Sequence, residues 1–251
     1  MNRPAARKGS QMLAWFLAGV GSLWLAAVLF PALMGEQAHF VTGFFLSVLL
    51  LSILRWATRY TTSTEQELWA WLTIAWALGL LGNVAWGIVQ MLTGVEPGLF
   101  SWLTWLYVAR YIAFFLGLWQ FSRPWRWTRW AAVVVIATAA TVLLWWALFR
   151  PALPMENATA IFVSGALYPV MDFILLFGVF CLWPKMTNVR GRRIAAILVM
   201  VVLCYGAANW INFGVRVTNW DATSFWANFL WGASDILTGI AALSAIWRAE
   251  K

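Results

Sequence analysis

The sequence predicts an all-α fold, a polytopic membrane bundle of eight transmembrane helices, on three observations. Of 251 residues, 63% are hydrophobic and only 10% are charged, whereas a soluble domain carries about 25% charged residues. Mean hydropathy is +0.76. Apolar runs of roughly 18 to 26 residues, long enough to cross a hydrocarbon core of about 30 Å at about 1.5 Å per residue, recur along the whole chain. The same composition excludes a disordered chain. A disulfide framework is excluded too, because Cys181 and Cys204 both fall inside apolar runs.

The runs are placed at 11–34, 39–57, 68–94, 99–121, 130–149, 158–183, 194–217 and 223–247, in a single integral membrane domain spanning 1–251. The first is too long for a signal-peptide core and lacks a small-residue cleavage site, so it reads as a retained signal anchor. In the third, Asn83, Trp86 and Gln90 follow an i, i+3, i+7 pattern on one helix face. Arg110 stands near the middle of the fourth. Trp125, Trp127 and Trp130 interleave with Arg123, Arg126 and Arg129 before the fifth, as an aromatic belt with charge anchors at a membrane boundary. The sixth holds Tyr168 one turn before Asp172. Pro169 bends that span and frees a backbone carbonyl beside the Asp. Asn209, Asn212 and Arg216 share a face of the seventh, and Asn228, Trp231 and Asp235 share a face of the eighth.

A cytoplasmic N-terminus assigns Arg3, Arg7, Lys8, Arg55, Arg59, Arg123, Arg126, Arg129, Lys185, Arg190, Arg192, Arg193, Arg248 and Lys251 to the inner side, 14 of 17 positive charges. This is a strong positive-inside bias, and it puts both termini in the cytoplasm. Because these residues are spread over every inner loop, the net charge of +8 does not read as a nucleic-acid surface. Of the 21 tryptophans, Trp86, Trp105, Trp210 and Trp231 lie deeper than the belt and either pack between helices or line an aromatic cavity.

The second half aligns on the first with an offset that drifts from 120 to 125 residues. Pro31-Ala32-Leu33 with Glu36 matches Pro151-Ala152-Leu153 with Glu156, and Phe40-Val41-Thr42-Gly43 matches Phe162-Val163-Ser164-Gly165. Trp86 matches Trp210, and Glu96-Pro97-Gly98-Leu99-Phe100 matches Asp221-Ala222-Thr223-Ser224-Phe225, which sets Arg110 opposite Asp235. Their common order predicts duplication of a four-helix unit, with repeats near 11–121 and 130–247. Units with an even number of spans enter the membrane from the same side, so these are parallel repeats. Ligand sites commonly lie between such halves.

Arg110, Asp172 and Asp235 fall roughly 16 to 21 Å deep at 1.5 Å per residue. A lone charge there costs from about 2.5 to more than 10 kcal/mol, so all three face inward. Arg110 is expected to bridge one or both acids, leaving either a net negative site or one protonated Asp. Together with Tyr168, Asn228, Trp231, Asn83, Trp86, Asn209 and Asn212 they form a candidate ligand site or ion pathway. The competing reading is interhelical hydrogen bonding, at about 0.6 to 2 kcal/mol per bond.

No catalytic or metal-binding set is found. The single His39 lies at the outer start of the second span beside Glu36, and no lysine falls within a span, which removes a Schiff-base pigment of the rhodopsin type. Cys181 and Cys204 lack metal spacing. No Ser/His/Asp or Cys/His combination is present, so the expectation is a non-enzyme. The residues name no cofactor.

Three stretches resemble a known family. FSWLTWLYVARYIAFFLGL, Phe100 to Leu118, resembles the "PSxADxxYLxxYPLLxxGL" helix of the multi-pass sensory region found N-terminal to GGDEF and EAL output domains in bacterial signalling proteins. ALYPVMDFILL, Ala166 to Leu176, looks like that family's "YPxxDxxLL" helix, and SFWANFLWGASDILTGIAAL, Ser224 to Leu243, is similar to its closing helix. The likeness covers roughly 68–247. Thr104 stands where the family has Asp, Ile112 replaces its Pro, and Arg110 occupies an unremarkable family position. With the chain ending at Lys251, the expectation is a stand-alone input module, or a fragment of a longer signalling protein.

The resemblance implies a non-enzymatic sensory or ligand-binding module. Its expected partners are the lipid bilayer, a small or lipophilic ligand, and a separate cytoplasmic or membrane signalling protein. A proton- or ion-coupled secondary transporter and a structural or pigment-holding subunit of a membrane complex are the alternatives.

Overall fold

The computed structural model describes residues 3–34, 38–61, 63–94, 101–122, 127–148, 167–180, 189–218 and 224–249, and among these the regular structure is entirely helical. The long helices are α1 (Arg3–Leu29), α2 (Ala38–Tyr60), α3 (Ser63–Thr93), α4 (Leu103–Ser122), α5 (Trp127–Leu148), α6 (Leu167–Phe180), α7 (Val189–Thr218) and α8 (Ser224–Ala249). Each coincides with one apolar run of the sequence, with shifted ends. The first run breaks at Phe30, because Pro31 has no N–H to continue the ladder, and the chain restarts as a single turn, Pro31–Met34. α3 begins five residues earlier than its apolar run, since Glu65 in the first turn complements the positive end of the helix dipole. The part of the sixth run before Leu167, and with it the matches at 151–165, lies outside the described residues, as do the matches at 96–100 and 221–223.

Among the described residues, five helices are long and apolar enough to cross a membrane, over Lys8–Leu29, Ala38–Tyr60, Glu65–Thr93, Gly191–Gly214 and Phe225–Trp247. α5 and α6 contribute shorter apolar stretches, Ala131–Ala147 and Leu167–Phe180. α4 has the length, but Arg110 stands near its middle. The outer surface is apolar as well: Trp15, Leu23, Ile74, Ile112, Val135, Leu143 and Met200 all point away from the bundle. A water-soluble monomer rarely exposes so extended an apolar surface. The chain is a multi-pass membrane protein.

Consecutive helices pack on one another within α1–α4 and again within α5–α8. The two sets meet where α8 lies against α1 and α2, and where α4 lies against α6. The pairs α2–α8 and α4–α6 exchange under a swap of the two sets. Leu46, Leu50, Ile53, Leu54 and Ala57 make one stripe of α2 fully buried, the face that α1, α3 and α8 share. Ala241, Ala242 and Ala245 keep α8 slim where it passes its neighbours.

α1 reaches α8 only because Gly232 and Gly239 carry no side chain. A Cβ on Gly232 would overlap the Trp24 ring, and one on Gly239 would stand 2.8 Å from Leu17 Cδ2. Gly19, by contrast, has open space around it. Gly232→Ala is therefore expected to destabilise the protein by about 1–3 kcal/mol, seen as a lower melting temperature in detergent. Gly19→Ala should leave the melting temperature unchanged, and Trp24→Leu should rescue Gly232→Ala. Equal melting of both alanine variants would show that α1 does not pack on α8 through this contact.

Candidate functional site

Two aspartates, Asp172 and Asp235, stand inside the bundle, and each accepts a hydrogen bond from an aromatic side chain of a distant helix. On α6, Asp172 is 5% exposed. Its Oδ1 accepts the Tyr111 hydroxyl of α4 at 2.5 Å. Asn209 of α7 donates its Nδ2 to both oxygens, at 3.2 and 3.1 Å, and to the Tyr111 oxygen at 2.6 Å. The Asn209 carbonyl in turn accepts the Trp231 indole N–H of α8 at 3.0 Å. Four helices thus close on one carboxylate, and the Tyr111 hydroxyl donates and accepts at once. Gly206 makes this approach possible, because a Cβ there would stand 3.3 Å from Asp172 Cβ.

Asp235 of α8 accepts the Trp76 indole N–H of α3 at 2.8 Å and a hydrogen bond from Ser47 of α2. Between the two acids lies Arg110, with its Cζ 4.8 Å from the centre of the Trp76 ring and 4.4 Å from that of Tyr205. A desolvated guanidinium over an aromatic face gains about 2 kcal/mol. The expected bridge from Arg110 to a carboxylate is not the contact formed: among the described residues the guanidinium meets rings, and those rings lead on to the acids. Trp76 continues to Asp235, and Tyr205 hydrogen-bonds Tyr111, which continues to Asp172. Gly79 leaves the room for this, since a methyl there would stand 2.9 Å from Arg110 Nη1.

Arg110, Trp76, Tyr111, Tyr205 and Ser234 enclose a cavity with about 10 Å³ open to the centre of a water molecule, which holds about one water. The fully buried Ser234 hydroxyl, without a protein partner, faces it.

The sequence-predicted residues divide. Arg110, Asp172, Asp235, Asn209 and Trp231 come together, and the Tyr168 ring packs 6.0 Å from that of Tyr111. Asn83 instead accepts the Tyr107 hydroxyl at 2.8 Å on the outer side of α3 and α4. Asn212, Asn228 and Trp86 are half-buried. Trp105 is 71% exposed and faces out of the bundle. His39 packs on Phe40, with ring centres 4.0 Å apart. The Arg216 side chain, those of Trp125, Trp127 and Trp130, and Cys181 lie outside the described residues.

Trp76, Tyr111, Tyr205 and Ser47 escape the sequence reading. Two of them carried a signal. Trp76 stands seven residues before Asn83 and Tyr205 four before Asn209, so each extends a polar face already recognised. Tyr111 and Ser47 had no such mark.

No protein-family model, curated protein or solved structure matches the chain.

Tyr111→Phe is expected to cost about 1–3 kcal/mol, because it removes a donor from a buried carboxylate. Asn209→Leu should cost a similar amount. As both donors serve one acceptor, the double variant should depart from the sum of the two by at least about 0.5 kcal/mol. Reversible unfolding in mixed micelles measures this, and strict additivity would mean that the two side chains do not share Asp172.

Proposed function

We propose that the protein is a non-enzymatic, eight-span sensory or ligand-binding module of a bacterial inner membrane, with both termini cytoplasmic, that signals through a separate partner. One observation carries the reading: both interior carboxylates, Asp172 and Asp235, lie on α6 and α8, while Tyr111 and Trp76, which hold them, lie on α4 and α3. If α1–α4 and α5–α8 are copies of one unit, as the drifting offset and the exchangeable α2–α8 and α4–α6 pairs support, these hydrogen bonds join the halves. A ligand that competes for a carboxylate then favours one arrangement of the halves over another, by its difference in affinity for the two. The resemblance of 100–118, 166–176 and 224–243 to the sensory region preceding GGDEF and EAL domains supports the same reading.

The network suits detection better than chemistry. Its members are hydrogen-bond donors and acceptors already engaged with one another, without a nucleophile beside a base.

Native mass spectrometry on protein extracted gently from its own membrane tests this. A bound small molecule is expected on the wild type and absent from Asp235→Asn, and proteoliposomes should show no proton or solute flux. Flux that collapses in Asp172→Asn would overturn the reading in favour of a coupled transporter. Visible absorption with stoichiometric co-purification of other subunits would overturn it in favour of a pigment-holding subunit.

A further inference from the structure

Away from the central cavity, α5 packs on α6 and leaves a space against α7. The cleft between α5, α6 and α7 has a volume of about 370 Å³, within the range of small-molecule sites, about 300–1,000 Å³. Its walls are Leu144 of α5, Phe173 and Leu176 of α6, and Leu203 and Trp210 of α7. Beside it the rings of Trp145 and Phe213, 5.4 Å apart, tie α5 to α7. It opens on the outside of the bundle, where Leu203 is 44% exposed, the surface that faces lipid in the membrane.

One ionisable group lines this apolar space among the described residues, and it is Asp172. The carboxyl is reached past Gly206, which carries no side chain to cover it: a Cβ there would come within 3.6 Å of Oδ2. Tyr111 and Asn209 both serve Oδ1, whereas Oδ2 accepts only the Asn209 amide among the described residues. A carboxylate oxygen has room for a second donor.

Charge decides the kind of donor. The interior brings together Asp172, Asp235 and Arg110, the one cation there among the described residues, whose guanidinium lies on the faces of Trp76 and Tyr205. With both carboxyls ionised, the three groups lack one positive charge for balance. A cationic head on an apolar tail supplies it and gains a charge-assisted hydrogen bond in a site away from water, while the tail takes the place that lipid would fill.

We propose that the cleft between α5, α6 and α7 binds a single-chain lipophilic amine, which enters sideways from the bilayer with its tail against Phe173, Leu203 and Trp210 and its ammonium on Asp172. This rests on the reading of the chain as a ligand-binding module and names the chemical class of the ligand and its route. It also explains how a ligand reaches the network: an ammonium on Asp172 competes with Tyr111 and Asn209 for the same carboxylate.

The test uses the full chain in phosphatidylcholine nanodiscs with a diazirine-bearing dodecylamine as photoprobe. Labelling is expected on the peptides holding Phe173 and Leu203. Unlabelled dodecylamine should compete at least tenfold better than dodecanol or dodecanoic acid. Ala207→Trp, at an exposed position that lines the cleft and lies away from the hydrogen-bond network, should lower labelling at least tenfold without loss of folding. Asp172→Asn should abolish the preference for amine over alcohol. Labelling spread evenly over the lipid-facing helices, unaffected by Ala207→Trp, would overturn the site, and equal competition by dodecanoic acid would overturn the charge assignment. The two readings fail differently. A small molecule retained by the extracted protein, with no cleft labelling, sinks the cleft alone. Cleft labelling together with Asp172-dependent flux sinks the sensory reading alone.

Discussion

A carboxylate in a bundle of apolar helices has to be hydrogen-bonded, because hydrocarbon offers it nothing in place of water. Asp172 and Asp235 set that requirement twice, and the interior is arranged to meet it. Tyr111, Asn209 and Trp231 assemble around the first, and Trp76 and Ser47 around the second. Through these contacts α2, α3, α4, α6, α7 and α8 are all tied to one of two carboxyl groups. The rotation of each helix about its axis follows, since a donor pointing elsewhere would leave a buried polar group unpaired on both sides.

Tyrosine and tryptophan are suited to the task. Each has a broad apolar ring that packs against leucine and valine, with a single polar atom at its edge that reaches an acceptor. The rings of Trp76 and Tyr205 serve a second purpose, offering their faces to Arg110 while Trp76 gives its N–H to Asp235 and Tyr205 reaches Tyr111. A cation and two acids are thereby kept in one electrostatic neighbourhood without the rigidity of a direct ion pair. Such an arrangement leaves the carboxylates competent to exchange partners.

Close approach is the other half of the design. Gly79 admits the Arg110 guanidinium, Gly206 admits the Asp172 carboxyl, and Gly232 admits the Trp24 ring. Lipid provides little hydrophobic drive between helices, so dispersion contacts and interhelical hydrogen bonds hold the bundle together. Both strengthen where small residues let backbones and functional groups draw near. Among the described residues α5 packs mainly on α6, and the apolar cleft beside Asp172 lies between these two helices and α7.

The sequence by itself determined that the chain is a helical membrane protein, that its helices follow the apolar runs, and that Arg110, Asp172 and Asp235 face the interior. Hydropathy and helical periodicity are local properties, and the cost of a lone charge in hydrocarbon is the same whatever the fold. Only the tertiary structure decided which groups serve the acids. Tyr111 is 61 residues from Asp172 and Trp76 is 159 from Asp235, and both sit in aromatic-rich stretches whose composition reads as packing. Asn83 and Asn209 look alike in sequence, on equivalent polar faces, yet one meets Tyr107 at the outer side of the bundle and the other anchors the centre. The difference is the order in which helices surround one another, which fixes the direction a face looks and is set by contacts between segments far apart in the chain.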